Sequence, residues 1–382
     1  MRFIKIFLAS LCLFSLSNMP AHSVPAYPKP VKFIQPDGTV VTYRIIGDEH
    51  NHWLESTDGY VLKRSDSGFL CYAGKDSNGT IIAADKYFGS TGHAVDKSKL
   101  LRRKDMIKTD GMRLSPAGPN KALQINGTFP LTGKRKLLML LVNFADTKPT
   151  FGADNFRELM NAENYNGTGS FRDYYLETSY KQLDIETTVV GWIQLPRSKA
   201  LYGTEDMTAL IRDALSLLDD SIDIHQFDND GDGELDGLSI IHQGMGQEVS
   251  GSTSDIWSHS SELLDMTYNG VRIKKYTIQP EILIDNATYG LQMTTVGVLC
   301  HEFGHNLGAP DYYDTDYETG GYFSGTGIWD LMADGIWNEH KLPGDTPSSL
   351  NMWQKIQFGW VNPQVLDKTA TITAVSYTHL TL

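Results

Sequence analysis

His301 and His305 stand four residues apart, with Glu302 directly after the first, inside the run Val296-Gly297-Val298-Leu299-Cys300-His301-Glu302-Phe303-Gly304-His305-Asn306-Leu307-Gly308-Ala309-Pro310-Asp311. No other segment restricts its own conformation so tightly. A spacing of four puts two side chains one turn apart on the same helical face, where both imidazoles can share one cation. On that helix Glu302 projects where a carboxylate reaches a water on the cation without becoming a ligand. Gly308 can end the helix with a left-handed residue and turn the chain back. Asp311, three residues on, is the expected third ligand. Three protein ligands leave one position of a tetrahedral zinc open, as catalysis requires.

The chain has 382 residues, room for two or three domains. Arg2 and Lys5 precede a short apolar run over residues 6–16, and Ala21-His22-Ser23 puts small residues where a signal peptidase reads. Residues 1–23 are therefore expected to be a secretory signal peptide. The run is shorter than the ~20 residues of a membrane span, and no later stretch is long and apolar enough. Residues 24–125 read as a strand-rich propeptide and linker. Val31 to Ile34 and Val40 to Ile46 flank Pro36-Asp37-Gly38, which predicts a hairpin, and Asp58-Gly59 and Ser67-Gly68 mark further turns. From about residue 91 the chain reads as a linker. Within it, Arg102-Arg103-Lys104 is either a protease-sensitive site or a solvated charge run.

The composition shifts after residue 126. Lys136-Leu137-Leu138-Met139-Leu140-Leu141-Val142-Asn143-Phe144 is nearly all apolar, as expected of a strand buried on both faces. Residues 156–160 and 170–178 are expected as short helices, the second capped by Ser170 with Asp173 in its first turn. Residues 184–192, 238–242 and 273–278 read as strands, and residues 208–218 have apolar side chains at helical spacing. Mixed strands and helices in one unit over 126–365 indicate an α/β or α+β catalytic domain. Residues 348–356 read as a Ser-capped helix. Residues 366–382 are expected to be the start of a truncated C-terminal β region or an artefactual tail.

The run from His301 to Asp311 resembles the elongated zinc signature of metzincin peptidases, with Asp in place of the usual third His. Trp329-Asp330-Leu331-Met332-Ala333-Asp334-Gly335 resembles the methionine-containing turn beneath the metal in those enzymes, with Met332 as the floor. With residues 137–144 and Arg172-Asp173-Tyr174-Tyr175-Leu176-Glu177-Thr178-Ser179-Tyr180, the chain is most similar to the secreted bacterial immune-inhibitor-A family (peptidase family M6) over about residues 135–365. The resemblance implies a metzincin-like zinc peptidase domain with a mixed sheet and an active-site helix, preceded by a small β-rich pro-segment. It implies zinc on His301, His305 and Asp311. Glu339 competes for the third position, because another class of zinc peptidase takes a Glu from a later helix. The spacing and Met332 favour Asp311. Family enzymes use a Tyr to steady the oxyanion; Tyr312, Tyr313 and Tyr322 are nearby and none is assigned.

The chemistry implied is metal-assisted peptide hydrolysis. Zinc polarises the scissile carbonyl and acidifies its bound water, and Glu302 accepts that water's proton and delivers it to the leaving amine. The expected protein is a secreted bacterial endopeptidase made as a zymogen and acting on proteins or peptides. Two other readings compete: an inactive secreted binding or adhesion protein on a peptidase scaffold, and a zinc hydrolase of a non-peptide substrate. The intact Glu302 argues against the first.

A second cation is expected at Asp228-Asn229-Asp230-Gly231-Asp232-Gly233-Glu234-Leu235-Asp236. Oxygen ligands at alternate positions followed by Gly suit calcium, with Asp228, Asp230, Asp232, Glu234 and Asp236 as candidates. Ser239 stands where an EF-hand has its closing Glu, so Asp236 is expected to close the shell. The net charge of -13 argues against nucleic acid or anionic membrane as the main partner. Beyond the expected signal only Cys71 and Cys300 remain, too few for a disulfide scaffold. Cys300 is expected in the core. Cys71 is read as a core residue, with a thiolate cap on the zinc as the less favoured alternative.

Overall fold

From Val31 to Tyr87 short strand-forming runs alternate with turn residues, and the chain folds as an antiparallel meander. The computed structural model describes residues 22–49, 51–89, 97–106, 127–204, 207–219, 221–315 and 323–363. A short strand β1 (His22–Ser23) precedes β2 (Val31–Ile34), β3 (Val40–Gly47), β4 (His52–Ser56), β5 (Val61–Arg64), β6 (Leu70–Lys75) and β7 (Ile81–Tyr87). Strands β2 to β7 form a six-stranded sheet in sequence order. The expected hairpin pairs Ile34 with Val40. Its turn is closed by Gly38 N–H to Gln35 O at 2.8 Å and Thr39 N–H to Asp37 Oδ1 at 2.9 Å.

Part of the expected linker belongs to this sheet instead. Leu101 accepts from Val61 N–H at 2.9 Å and donates to Ala73 O at 3.0 Å. The helical turn α1 (Arg103–Met106) places Arg103 in a two-pronged contact with Glu55, at 2.8 and 3.0 Å. The Arg102 guanidinium lies 4.2 Å from the Tyr60 ring centre. Arg102 and Arg103 are therefore engaged with the sheet rather than freely solvated. The remainder of that linker, the expected signal up to residue 21 and the tail at 366–382 lie outside the described residues.

The second sheet contains β8 (Gly133–Asn143), β9 (Leu183–Gln194), β10 (Glu234–Leu235), β11 (Leu238–Met245), β12 (His259–Tyr268), β13 (Val271–Asn286) and β14 (Gly290–Met293). Between and after them come α2 (Ala153–Asn161), α3 (Phe171–Thr178), α4 (Lys199–Tyr202), α5 (Thr208–Ser216), α6 (Gln247–Ser250), α7 (Val296–Asn306) and α8 (Met352–Gln357). The strand order is β1-β12-β13-β11-β8-β9. Strands β9, β8, β11 and β13 run parallel, and β12 is antiparallel to β13. The N-terminal β1 pairs antiparallel with β12, Ser23 opposite His259. This second unit is thus a mixed α/β sheet whose β12 edge is covered by the start of the described chain.

The apolar run in β8 has a direct explanation. Leu137, Met139 and Leu141 pack with Phe156 of α2, Tyr175 of α3 and Phe303 of α7. Leu138, Leu140 and Val142 pack on the opposite face with Leu210, Ile211 and Ala214 of α5. Side chains alternate across a strand, so a strand covered on both faces must be apolar at every position. The Ser170 cap forms as expected: its hydroxyl accepts from Asp173 N–H at 3.1 Å, and Asp173 accepts from Ser170 N–H at 3.0 Å. The last helix differs. It begins at Met352 and its cap is Asn351, which accepts from Gln354 N–H at 2.9 Å. The Ser348 and Ser349 hydroxyls are already bonded to Ile328 O and to Thr178. No helix among the described residues is long and apolar enough to cross a membrane.

Candidate metal centre

Helix α7 is buried over its whole length. Tyr175 donates to Cys300 O at 2.6 Å, and Phe303 is wedged edge-on among Phe129, Phe171 and Tyr175. Cys300 is accordingly a core residue. Cys71 is buried in β6, its thiol directed to Phe69 O, and it is absent from the candidate metal groups among the described residues.

The two imidazoles converge, with their Nε2 atoms 3.3 Å apart. The Nδ1 of His301 lies 2.9 Å from Leu331 O, and that of His305 lies 2.7 Å from Ala309 O. A carbonyl oxygen only accepts, so each Nδ1 carries the proton and each Nε2 keeps its lone pair for a cation. Gly308 takes φ +94°, the left-handed conformation expected of it. Behind it, Ala309 donates to Gly304 O at 2.9 Å, and the chain turns back. Asp311 Oδ1 then lies 3.2 Å from His301 Nε2 and 3.5 Å from His305 Nε2. Tetrahedral zinc with bonds of about 2.0–2.1 Å has ligand–ligand edges of roughly 3.3–3.4 Å. The three separations match that edge, so the residues fit zinc. Glu339 is held elsewhere, accepting from Tyr289 OH at 3.2 Å and paired with Lys29.

Met332 lies under α7, fully buried. Gly304 makes room for it, since a Cβ there would stand 2.7 Å from the Met332 sulfur. Asp330 holds the turn, accepting from Met332 N–H at 3.1 Å and from Asn351 Nδ2 at 2.6 Å. Because Leu331 O orients His301, this turn both packs beneath α7 and aims one of the two imidazoles.

Glu302 is 0% exposed, and neither carboxyl oxygen has a hydrogen-bond partner among the described residues. Burial is the main reason its carboxyl is held well above the usual range, reinforced by Asp311, Glu49 and Glu248; the Val24 backbone acts in the opposite direction. Leaving such a group unpaired is costly, which marks it as a place for chemistry. Two of these neighbours come from the N-terminal unit. Glu49, on the β3–β4 loop, has both carboxyl oxygens shielded from solvent. Burial, Asp48 and Asp311 push its carboxyl up. Val24 is buried, and its carbonyl accepts from Trp257 Nε1 at 3.0 Å. Sequence reasoning singled out none of Val24, Glu49 or Trp257, because nothing local ties them to α7. Of the three tyrosines, Tyr313 is buried among Asp311, Asp48, Glu49 and Glu302, whose charges add to burial in raising its hydroxyl. Tyr312 is turned toward Asn351 and Asp330, and Tyr322 lies outside the described residues.

In the acidic loop, carboxylate oxygens of Asp228, Asp230 and Asp236 lie within 4.8 Å of one another. Asp228 accepts from Gly231, Asp232 and Gly233 N–H at 2.7, 3.1 and 2.9 Å. Asp236 accepts from Asn229 N–H at 2.6 Å. Burial chiefly, and then Asp230 and Asp228, push it to about 6 against that bond. Three like charges so close fit a hard cation with oxygen ligands. Asp232 caps Glu234 N–H at 2.8 Å. Glu234 is turned onto Arg272 and Lys274, because β10 pairs with β13 and brings those cations alongside.

A buried helix with two convergent imidazoles and an adjacent carboxylate, a further carboxylate beyond a left-handed turn and a buried methionine below fit the centre of a metallopeptidase. Residues 132–361 match the family described as immune inhibitor A peptidase M6, catalytic domain, and the chain belongs to that family. Immune inhibitor A of Bacillus thuringiensis subsp. alesti is 30% identical over 300 residues, covering 63% of this chain and 41% of that protein. Pre-pro-metalloprotease PrtV of Vibrio cholerae serotype O1 (strain M66-2) is 31% identical over 246 residues, covering 52% of this chain and 25% of that protein. The chain spans less than half the length of these curated relatives.

Proposed function

We propose that the chain is a zinc-dependent endopeptidase, exported through the signal at residues 1–23 and made as a zymogen. The observation that carries this reading is the triangle of His301 Nε2, His305 Nε2 and Asp311 Oδ1, beside the fully buried Glu302 carboxyl. When bound, zinc supplies Lewis acidity toward a scissile carbonyl and toward water. The Asp311 charge makes the centre less positive than a third neutral imidazole would, which leaves more of the proton transfer to Glu302. The Glu302 carboxylate takes a proton from the attacking water and hands it to the leaving amine nitrogen. Its buried setting raises its affinity for that proton and so suits it to both steps.

The zymogen reading is supported by what covers the centre. Val24 and Glu49 both belong to the N-terminal unit and lie against Glu302 and Asp311. A peptide reaches Glu302 only after that segment has moved. For the acidic loop we favour calcium on Asp228, Asp230 and Asp236, with Asp232 shaping the turn and Glu234 outside the shell.

The test is cleavage of casein and of a peptide library by the full chain after its N-terminal segment is nicked, with and without a zinc chelator. Chelator-sensitive cleavage is expected. Glu302→Gln should keep its zinc by elemental analysis and lose about a thousandfold in rate, within the usual range for general acid–base catalysis. Cleavage indifferent to the chelator or to Glu302→Gln overturns the reading. A folded, zinc-loaded chain that spares peptides but splits an ester or glycan would favour the non-peptide hydrolase.

A further inference from the structure

Residues 24–29 lie across the second unit, close to the surroundings of Glu302. After the β1–β12 pairing, Val24 O accepts from Trp257 Nε1 at 3.0 Å and Pro25 O accepts from Trp337 Nε1 at 3.1 Å. Tyr27 N–H donates to Glu248 O at 2.9 Å, and its ring meets Trp337 edge-on at 5.4 Å. The main chain is thus gripped by donors and acceptors that any extended peptide could use. Pro28 and Pro30 flank the next side chain, Lys29, and keep its backbone extended.

Lys29 is where side-chain chemistry enters. Its ammonium pairs with the Glu339 carboxylate and lies 3.3 Å from Tyr289 OH, while Tyr289 OH donates to the other Glu339 oxygen at 3.2 Å. Asn286 Oδ1 fixes Tyr289 by accepting its N–H at 2.9 Å. Glu339 follows the turn that carries Met332 and Trp337, and it bridges to Pro343. Two loops therefore converge on one cation, and each is anchored independently of Lys29.

We propose that Glu339 and Tyr289 form a subsite for a basic side chain of the peptide substrate, which Lys29 of the chain itself fills here. The subsite lies five residues beyond Val24, hence up to ~17 Å along an extended chain from the catalytic carboxyl. It rests on the peptidase reading, since it assigns specificity to that same cleft. Lys29 and Glu339 are 45% and 33% exposed, so solvent screens the pair and the expected selectivity is modest, about three- to fivefold.

The experiment is a proteome-derived peptide library digested by the nicked full chain, with cut sites read by mass spectrometry. Lys and Arg should be enriched about three- to fivefold over Gln at one position on the C-terminal side of the cut. Glu339→Gln should level that ratio, and Glu339→Lys should invert it toward Asp and Glu. A ratio within one enzyme cancels any loss of overall rate. In parallel, the peptides VPAYPK and VPAYPQ are compared as competitive inhibitors of the unsubstituted enzyme, which needs no variant to fold. The Lys peptide should bind about three- to fivefold tighter. Cleavage without a basic preference, a preference that survives Glu339→Gln, or equal inhibition by the two peptides overturns the subsite and leaves the peptidase standing. No cleavage of any peptide overturns the peptidase reading and the subsite with it.

Discussion

His301, His305 and Asp311 on one side, and Asp228, Asp230 and Asp236 on the other, are both groups whose ligand atoms lie within 4.8 Å, yet they are held in opposite ways. The first is set by a buried helix, with each ring aimed by a carbonyl on its far nitrogen. Its lone pairs face one point and are turned away from the backbone. The second is a loop that has bonded its own amides, three of them on Asp228 alone. Such a turn keeps its shape without a cation and suffers mainly from charge repulsion. The difference separates a group whose free lone pairs face one point from a group whose carboxylates are already bonded by their own loop.

The largest effect that would break this comparison concerns Asp311. In Asp311→Ala, zinc affinity measured by competition with a chromophoric chelator should fall by more than about a hundredfold, the upper cost of losing an outer-shell partner. Unchanged affinity would return the third position to another group. Glu248 sharpens the contrast, because it is a buried acid served by neither site. Ser258 donates to it through Oγ at 2.6 Å and N–H at 3.2 Å, and burial pushes it from 4.5 to about 7. Between those values the folded chain keeps a proton that the unfolded chain has released. Stability should therefore fall as pH rises from 4.5 to 7 and level off above, by on the order of 3 kcal/mol. Urea unfolding across that window should show a shallower fall in Glu248→Gln; parallel curves would show that the carboxyl is ionised throughout. The smallest effect is expected at the loop. Stripping cations and restoring zinc alone should leave the chain about 2.7 kcal/mol less stable than with calcium near a hundred times its dissociation constant. Asp236→Asn should abolish that response, and full recovery on zinc alone would remove calcium from the account.

Much of the catalytic unit was legible because its signals are local. The uninterrupted apolar residues of β8, the Ser170 box and the spacing from His301 to Gly308 each constrain a few consecutive residues. Capping at the last helix was misplaced by three residues, since Ser348 and Ser349 are as good caps as Asn351 until their partners at Ile328 and Thr178 are known. Arg103 looked like linker charge because its partner, Glu55, is 48 positions away. Glu234 looked like a calcium ligand until strand pairing delivered Arg272 to it. Val24 and Glu49 carry no pattern that points to α7; only the tertiary fold brings them to Glu302.

The pairing of β1 with β12 has one more consequence. A sheet whose outermost strand shows bare amide and carbonyl groups invites any extended chain to join it. While residues 22–23 occupy that border, the invitation is closed to other extended chains. Those two residues are the last of the expected signal at 1–23, so removing that signal on export would uncover the border before the rest of the N-terminal segment is released. Concentrated exported chains would then be at risk of pairing edge to edge.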